Sequence, residues 1–544
     1  MDSILLLGWS NMAKNEPVKD YAPQSAERLE VDAQIQKLRS TSGDLPMYIG
    51  SEVRVSSEYF DVIEPHHHSR VLGRGFHATR QDAEDAIHAS LSVSEQWRNT
   101  DFETRASIFL KAADLLAGKY RSEIVATSML GQSKTVYQAE IDAACELIDF
   151  WNFNVDFARQ LHEIQPLSVS GITNTFDHRP LEGFIYAISP FNFTSIAANL
   201  PTAPALMGNV AIWKPAMTQM LSANVIMKVL KEAGLPDGVV NLVSGDGINV
   251  SEVALRHRDL AGIHFTGSTG VFQHLWQQVA LNLTSYRSYP RLVGETGGKD
   301  FIVSHQSADP EVTKVALIRG AYEYQGQKCS AASRGYIARS LWNQIKDDLI
   351  AQVDSLTQGD VSDYTNFMSA VIDEKSFNRN SAVIDRAHRA DDVTILTGGT
   401  YSREVGYFIR PTLIESTDPT AEWFTTEYFG PFLAVYVFED AQFEQVVHQM
   451  ESVAPYALTG SILAEDENVI SWVSQALRFA AGNFYINDKP TGAVVGQQPF
   501  GGSRASGTND KAGAIHNLMR WVSPRAIKRN HQPPHSYPYP HMEA

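Results

Sequence analysis

Two of the 544 residues are cysteines, Cys145 and Cys329. Two thiols cannot build a disulfide framework or a zinc centre of several thiolates, so each is either an inert buried thiol or a nucleophile. Cys329 lies in Gly326-Gln327-Lys328-Cys329-Ser330. A thiolate attacks carbonyl carbon well and leaves well, which suits chemistry that forms and then releases an acyl group. Four other Gly- or Pro-bearing turns stand out: Ser189-Pro190-Phe191-Asn192-Phe193, Trp213-Lys214-Pro215, Phe265-Thr266-Gly267-Ser268-Thr269-Gly270 and Glu295-Thr296-Gly297-Gly298-Lys299. Taken singly, such a turn is usually only a turn. Several at the ends of parallel strands read as one site, because open α/β sheets bind ligands there.

The elements that position these turns are legible in outline. Apolar runs at 184–188, 210–213, 239–243 and 263–265 read as short buried strands. Between them, 221–233 reads as a helix, stopped by Gly234 and Pro236. Strands alternating with helices imply βαβ units and a parallel sheet. A second alternating stretch begins near Phe301, with a helix over 311–322 and a strand led in by Cys329. Upstream, Ala83, Ile87, Leu91 and Trp97 recur at near-helical spacing, as do Ile108, Ala112, Leu115 and Leu116, and a third helix is predicted over 138–153. Residues 1–50 are polar and weakly patterned and are expected to wrap the surface. The tail 532–541 is rich in Pro, Tyr and His and cannot be a regular helix.

Lys plus Arg number 45 against 62 Asp plus Glu, a net charge of −17, which disfavours nucleic acid and anionic membranes as partners. No apolar run approaches the ~20 residues of a membrane span. The apolar patch at 4–7 lacks a basic flank and a cleavage site, so a cytoplasmic, bacterium-like setting is expected. His66, His67 and His68 point in different directions along the chain and cannot easily share one metal. A solvated loop and no metal are expected there.

The five turns together resemble the aldehyde dehydrogenase superfamily over nearly the whole chain. Residues 138–150, 482–487, 491–493, 497–502 and 505–510 are similar to the branch of that superfamily that oxidises glutamate γ-semialdehyde, the open form of 1-pyrroline-5-carboxylate. The resemblance implies an α/β fold with a Rossmann-like cofactor domain, a second parallel-sheet catalytic domain and a small β flap that joins subunits. The corresponding boundaries are 51–163, 181–296 and 481–514 for the NAD-binding domain, 297–480 for the catalytic domain, and 164–180 with 515–544 for flap and tail, with flap strands at about 165–180 and 516–530.

The resemblance also implies roles. Cys329 adds to the aldehyde carbon; the thiohemiacetal loses hydride to the nicotinamide, and the thioester is hydrolysed by water activated by Glu295, 34 residues upstream. The Asn192 side chain and the Cys329 backbone N–H stabilise the oxyanion. Ser189, Lys214, Gly267, Ser268, Thr269, Gly270, Val271, Glu427 and Phe429 hold NAD, with the pyrophosphate on the helix start after Gly267. Ala216, Met217 and Thr218 stand where many NAD-specific members carry an acid, and the choice between NAD and NADP stays open on these residues. Gly492 and Ala493 anchor the substrate carboxylate, Ser330 adds a hydroxyl, Glu146 faces the ammonium, and Phe193 and Phe500 flank the aliphatic part. Cys145 is read as packing. A homo-oligomer is expected, with proline dehydrogenase as a separate pathway partner. The alternatives are another aldehyde, a non-catalytic protein on the same fold, or acyl transfer to CoA in place of hydrolysis.

Overall fold

A computed structural model describes residues 13–542. Runs that are apolar at nearly every position become central strands, because parallel strands are covered on both faces. Phe184–Ile188, Val210–Lys214, Val240–Leu242 and Leu260–Thr266 are buried almost throughout. With Arg291–Glu295 they form the parallel part of a seven-stranded sheet. Its order is Arg291–Glu295, Leu260–Thr266, Phe184–Ile188, Val210–Lys214, Val240–Leu242, Met47–Ile49 and Glu52–Arg54. The order reverses at Phe184–Ile188: later strands add first on one side, then on the other. That reversal opens a crevice at the carboxyl ends of Phe184–Ile188 and Leu260–Thr266. The register makes this edge even. Ile188 pairs with Lys214 and with Phe265, and Thr266 pairs with Glu295. Ser189, Lys214, Gly267 and Glu295 therefore emerge side by side.

A second seven-stranded sheet runs Val393–Thr397, Thr412–Ser416, Phe432–Phe438, Ala332–Ala338, Asp300–Ser304, Thr459–Leu463 and Asn483–Ile486. Alternate residues of one strand feed different cores. Phe301, Val303, Tyr336 and Ala338 pack on one face, and Ile302, Ile337, Leu433 and Val435 on the other.

The helices follow their signals. Arg80–Asn99 and Phe102–Ala117 carry the two amphipathic stripes. Met220–Ala233 stops at Gly234, whose φ of 104° needs no Cβ. The predicted 138–153 helix is longer: Val136–Ala139 and Leu147–Glu163 flank a π-helical turn at Glu140–Glu146.

Several expectations need correction. The N-terminal segment does more than wrap the surface. Ala26–Ser40 is a helix burying Val31 and Ile35, and Met47–Ile49 is a strand of the first sheet. The patch at 4–7 lies outside the described residues. The strand Asn483–Ile486, expected with the cofactor domain, belongs to the second sheet by pairing with Thr459–Leu463. The strands expected for the flap form a ribbon of Ile172–Pro180 against Val522–Asn530, shorter than predicted, and Ile515–Met519 is helical. His66 is not solvated: its Nε2 lies 3.2 Å from Glu64, and its Nδ1 lies 2.8 Å from the Ser133 hydroxyl. Glu64, His66 and Asp360 bring ligand-type atoms within 4.8 Å of one another, yet Arg39 already bonds both carboxylates. Among the described residues, no helix is long and apolar enough to cross a membrane.

Candidate active site

The loop that presents Cys329 is strained. Beyond the helix Pro310–Tyr322, Tyr324, Gln325 and Gly326 have φ of 51°, 57° and 64°. For a side-chain-bearing residue this left-handed conformation costs about 1–2 kcal/mol. Buried partners hold it there. The Gln325 amide donates to the carbonyls of Ser133 at 2.9 Å and Ala370 at 2.7 Å. The Gln327 side-chain oxygen accepts from Ile372 N at 2.9 Å. At Gly326 a Cβ would run into the carbonyl of Gly430. Strain sustained by surrounding bonds is typical of functional loops.

Asn192 reaches this loop directly, its Nδ2 donating to Gln327 O at 3.0 Å. An amide nitrogen has two hydrogens, so one remains for a ligand. Asn192 precedes the helix Thr194–Leu206, whose N-cap Phe193 offers no side-chain oxygen. Asp142, on the π turn, does that work from another helix. It accepts from Thr194 N and Ser195 N, both at 3.0 Å, and from the Ser195 hydroxyl at 2.8 Å. Lys134 pairs with Asp142 in full burial. Its Nζ sits 4.4 Å from the Phe193 ring centre and 4.6 Å from that of Tyr324. One buried cation thus bridges the loops carrying Asn192 and Cys329. Neither residue stood out in the sequence, because nothing local marks a cap donated from elsewhere.

Glu295 is the partner of the Cys329 thiol. The Cys329 thiol donates to Glu295 Oε1 at 3.6 Å. Burial lifts the Glu295 carboxyl to about 7. Burial also raises the Cys329 thiol well above its ordinary value, and the facing carboxylate adds to that.

Two cavities meet at Cys329. One, of about 740 Å³, lies at the crevice of the first sheet. Ser189, Asn192, Lys214, Gly267, Ser268, Val271, Glu427 and Phe429 all line it. Ser268 caps the helix Thr269–Leu281 by accepting from Val271 N. Thr269 and Gly270 are exceptions to the expected set: they stay outside the lining, and the Thr269 hydroxyl turns to Ala505 O. Burial brings the Lys214 ammonium down to about 8 and the Glu427 carboxyl up to about 7. Glu427 accepts from Gly298 N at 2.9 Å, and Phe429 packs edge-on to Phe191 at 5.8 Å. Asp246 and Arg379 also line this cavity and were not singled out by sequence.

The other cavity, of about 880 Å³, shares Phe265, Thr266 and Cys329 with the first. Glu146, Phe193, Glu295, Ser330, Gly492, Ala493 and Phe500 all line it. Burial and the neighbouring Asp142 raise Glu146 to about 8. The Ser330 hydroxyl bonds that of Thr491 at 2.8 Å, which ties the Cys329 loop to the Gly492 loop. Gly492 has φ of 99°, so a side chain there would be strained. Lys511, absent from the sequence reading, clamps this wall through the carbonyls of Gly482 at 2.8 Å and Gly501 at 2.9 Å. Cys145 also reaches the wall, with its thiol directed at Glu140.

This geometry has close relatives. Residues 53–527 match the aldehyde dehydrogenase family. The chain is 48% identical over 532 residues to the mitochondrial delta-1-pyrroline-5-carboxylate dehydrogenase of Dictyostelium discoideum, covering 97% of this chain and 95% of that one. It is 45% identical over 530 residues to the mitochondrial enzyme of the same name from Homo sapiens, covering 97% and 94%. The crystal structure of the Delta-pyrroline-5-carboxylate dehydrogenase from Mycobacterium tuberculosis bound with NAD is 53% identical, covers both chains fully and superposes with a TM-score of 0.95. The cytoplasmic setting expected from the N-terminal residues is overturned, because the eukaryotic relatives that match along nearly their whole length are named mitochondrial. A match that spans both sheets, both cavities and the thiol between them leaves one conclusion: the chain belongs to the aldehyde dehydrogenase family.

Proposed function

We propose that the protein oxidises L-glutamate γ-semialdehyde to L-glutamate with NAD, the second step of proline degradation. The observation that carries this reading is the placement of Cys329 as the shared wall of two cavities, with Glu295 3.6 Å from its sulfur. Names and bound NAD among the relatives point the same way.

The first cavity fits a dinucleotide. Three glycines leave room along it: a Cβ at Gly267 would meet the Phe265 ring at 2.8 Å, one at Gly247 would meet Lys214 at 3.1 Å, and one at Gly297 would run into Glu427. Lys214 and Glu427 offer a cation and a carboxylate to ribose hydroxyls, and the Ser268-capped helix offers free N–H groups to a pyrophosphate. When bound, NAD accepts the hydride.

In the second cavity Cys329 gives up its proton to solvent and its Sγ adds to the aldehyde carbon, which leaves Glu295 free as a base. Asn192 and the Cys329 N–H stabilise the resulting oxyanion. Loss of hydride leaves the thioester, and Glu295 then activates the water that releases glutamate. The Gly492–Ala493 backbone and Ser330 receive the α-carboxylate, Glu146 the ammonium, and Phe193 and Phe500 the methylenes. The retained base favours water over CoA as acceptor. The first sheet with its helices serves NAD and the second presents the thiol. The ribbon of Ile172–Pro180 and Val522–Asn530, largely exposed, is the surface through which copies associate. A proline dehydrogenase supplies the substrate.

The test is steady-state NADH formation from 1-pyrroline-5-carboxylate with wild type and Cys329→Ala, beside a panel of aliphatic aldehydes. Wild type should prefer the semialdehyde and the variant should be inactive. Equal turnover of plain aldehydes sinks the substrate assignment, and an active variant sinks the nucleophile.

A further inference from the structure

The wall of the substrate cavity includes Asn15, Glu16 and Val18, which belong to no helix or strand. They run along the helical stretch from Val136 to Glu163, tied down by its carboxylates. Asp149 accepts from Asn15 Nδ2 at 2.8 Å and from Glu16 N at 2.7 Å. Glu140 accepts from Lys19 N at 3.0 Å and from the Tyr21 hydroxyl at 2.6 Å. Arg121 donates to Pro17 O at 2.9 Å. The segment is a strap laid across one rim of the cavity.

Among the described residues, Asn15 is the one through which the strap bonds the Gly492 loop by its side chain. Its Nδ2 donates its second hydrogen to Val495 O at 2.8 Å, and its Oδ1 accepts from Gln497 Nε2 at 2.9 Å. Both donors and the acceptor of one amide are thus used, one on the helix and two on the loop. The loop's own bonds close one turn, with Gln497 N and Gln498 N donating to Val494 O at 3.0 Å, and leave Gly492 and Gly496, at φ of 99° and 80°, to be held from outside it. Its opposite end is held by Thr491 on Ser330, and Asn15 closes the other.

We propose that Asn15 is a specificity-determining positioning residue: it clasps the loop at 491–497 to the helix Leu147–Glu163 and so fixes the backbone N–H groups that receive the substrate α-carboxylate. This rests on the substrate reading above. An aldehyde with a carboxylate uses the clasped loop, whereas a plain aliphatic aldehyde meets only the thiol, Glu295 and the aromatic walls. Selectivity between the two therefore depends on a residue far in sequence from the loop.

The test compares wild type, Asn15→Ala and Gln497→Ala in two measurements. In steady-state kinetics, KM for 1-pyrroline-5-carboxylate should rise about tenfold in each variant, the scale of one or two lost hydrogen bonds. The values of kcat and KM for propanal, and KM for NAD, should stay within twofold. In hydrogen–deuterium exchange of the full-length protein, amides of 491–498 should exchange faster in both variants while those around Cys329 do not change. An unchanged KM for the semialdehyde, or an equal rise for propanal, overturns the specificity role. Unchanged exchange overturns the clasp itself, whatever the substrate. Wild type with no preference for the semialdehyde overturns the substrate reading and the specificity role with it, and exchange still decides the clasp.

Discussion

Replacing Glu295 by Gln keeps the shape of the side chain and removes its charge. Two effects of opposite sign follow from the 3.6 Å contact with Cys329. The amide cannot take a proton from water, so thioester hydrolysis loses its base. General-base catalysis is worth 10²–10⁴ in rate, and taking about 10³ as the middle gives a barrier higher by about 4 kcal/mol. The carboxylate also opposes a thiolate beside it, so its removal makes the thiol more acidic. Stopped-flow NADH absorbance should show a burst near one equivalent per active site, followed by turnover about 10³ slower than wild type. Alkylation of Cys329 by iodoacetamide near neutral pH should become faster. The pH profile follows with its sign. Only ionised Glu295 accepts a proton, and burial puts its midpoint at about 7. Wild-type kcat should therefore climb as pH rises through 7 and level off above, and the variant should lose that inflection. A variant that turns over within tenfold of wild type and keeps the same inflection would refute the assignment.

Three further outcomes follow. Lys134→Met leaves Asp142 buried with three hydrogen-bond donors but no counter-charge; about 3 kcal/mol of stability should be lost, read as a lower Tm, together with a fall in kcat as the Phe193 and Tyr324 loops separate. Gly297→Ala drives a Cβ into Glu427, so KM for NAD should rise while the KM for semialdehyde holds, and titration of NAD by fluorescence checks this. Gly492→Val forces a β-branched residue to φ of 99°, a strain of about 1–3 kcal/mol, and should raise KM for the semialdehyde without changing the alkylation rate of Cys329.

What could be read in advance was local. Gly234 and Pro236 announce the end of Met220–Ala233 within a few residues, and an all-apolar run such as Phe184–Ile188 announces a covered strand. Most of the site residues read from the sequence line the two cavities, and they were legible for a different reason, since five turns match one family together where each alone says little. What escaped depends on partners distant in the chain. Asp142 caps a helix that starts 52 residues later, and His66 is buried by Glu64, Ser133 and Asp360 rather than left in water. Asn483–Ile486 looks like any short strand, and only pairing with Thr459–Leu463 decides its sheet. No periodicity records such long-range choices.

The closeness of Cys329 and Glu295 has a topological cause. Glu295 ends the last strand of the first sheet, and five residues later Asp300 begins a central strand of the second. Asp300 pairs in register with Ala332, three residues after Cys329. The two reactive groups are thus delivered on the lead-ins of neighbouring parallel strands, where backbones run about 4.8 Å apart. The crossing at 296–299 passes against the backbone of Cys329, and a Cβ at Gly298 would strike the carbonyl oxygen of that residue. Gly297 is equally confined by Glu427 from the cofactor side. The two adjacent glycines are therefore a requirement of the geometry. One admits the backbone of Cys329 beside the lead-in from Glu295, and the other lets Glu427 from the first cavity approach the same crossing, so the proposed base, nucleophile and cofactor wall converge on it.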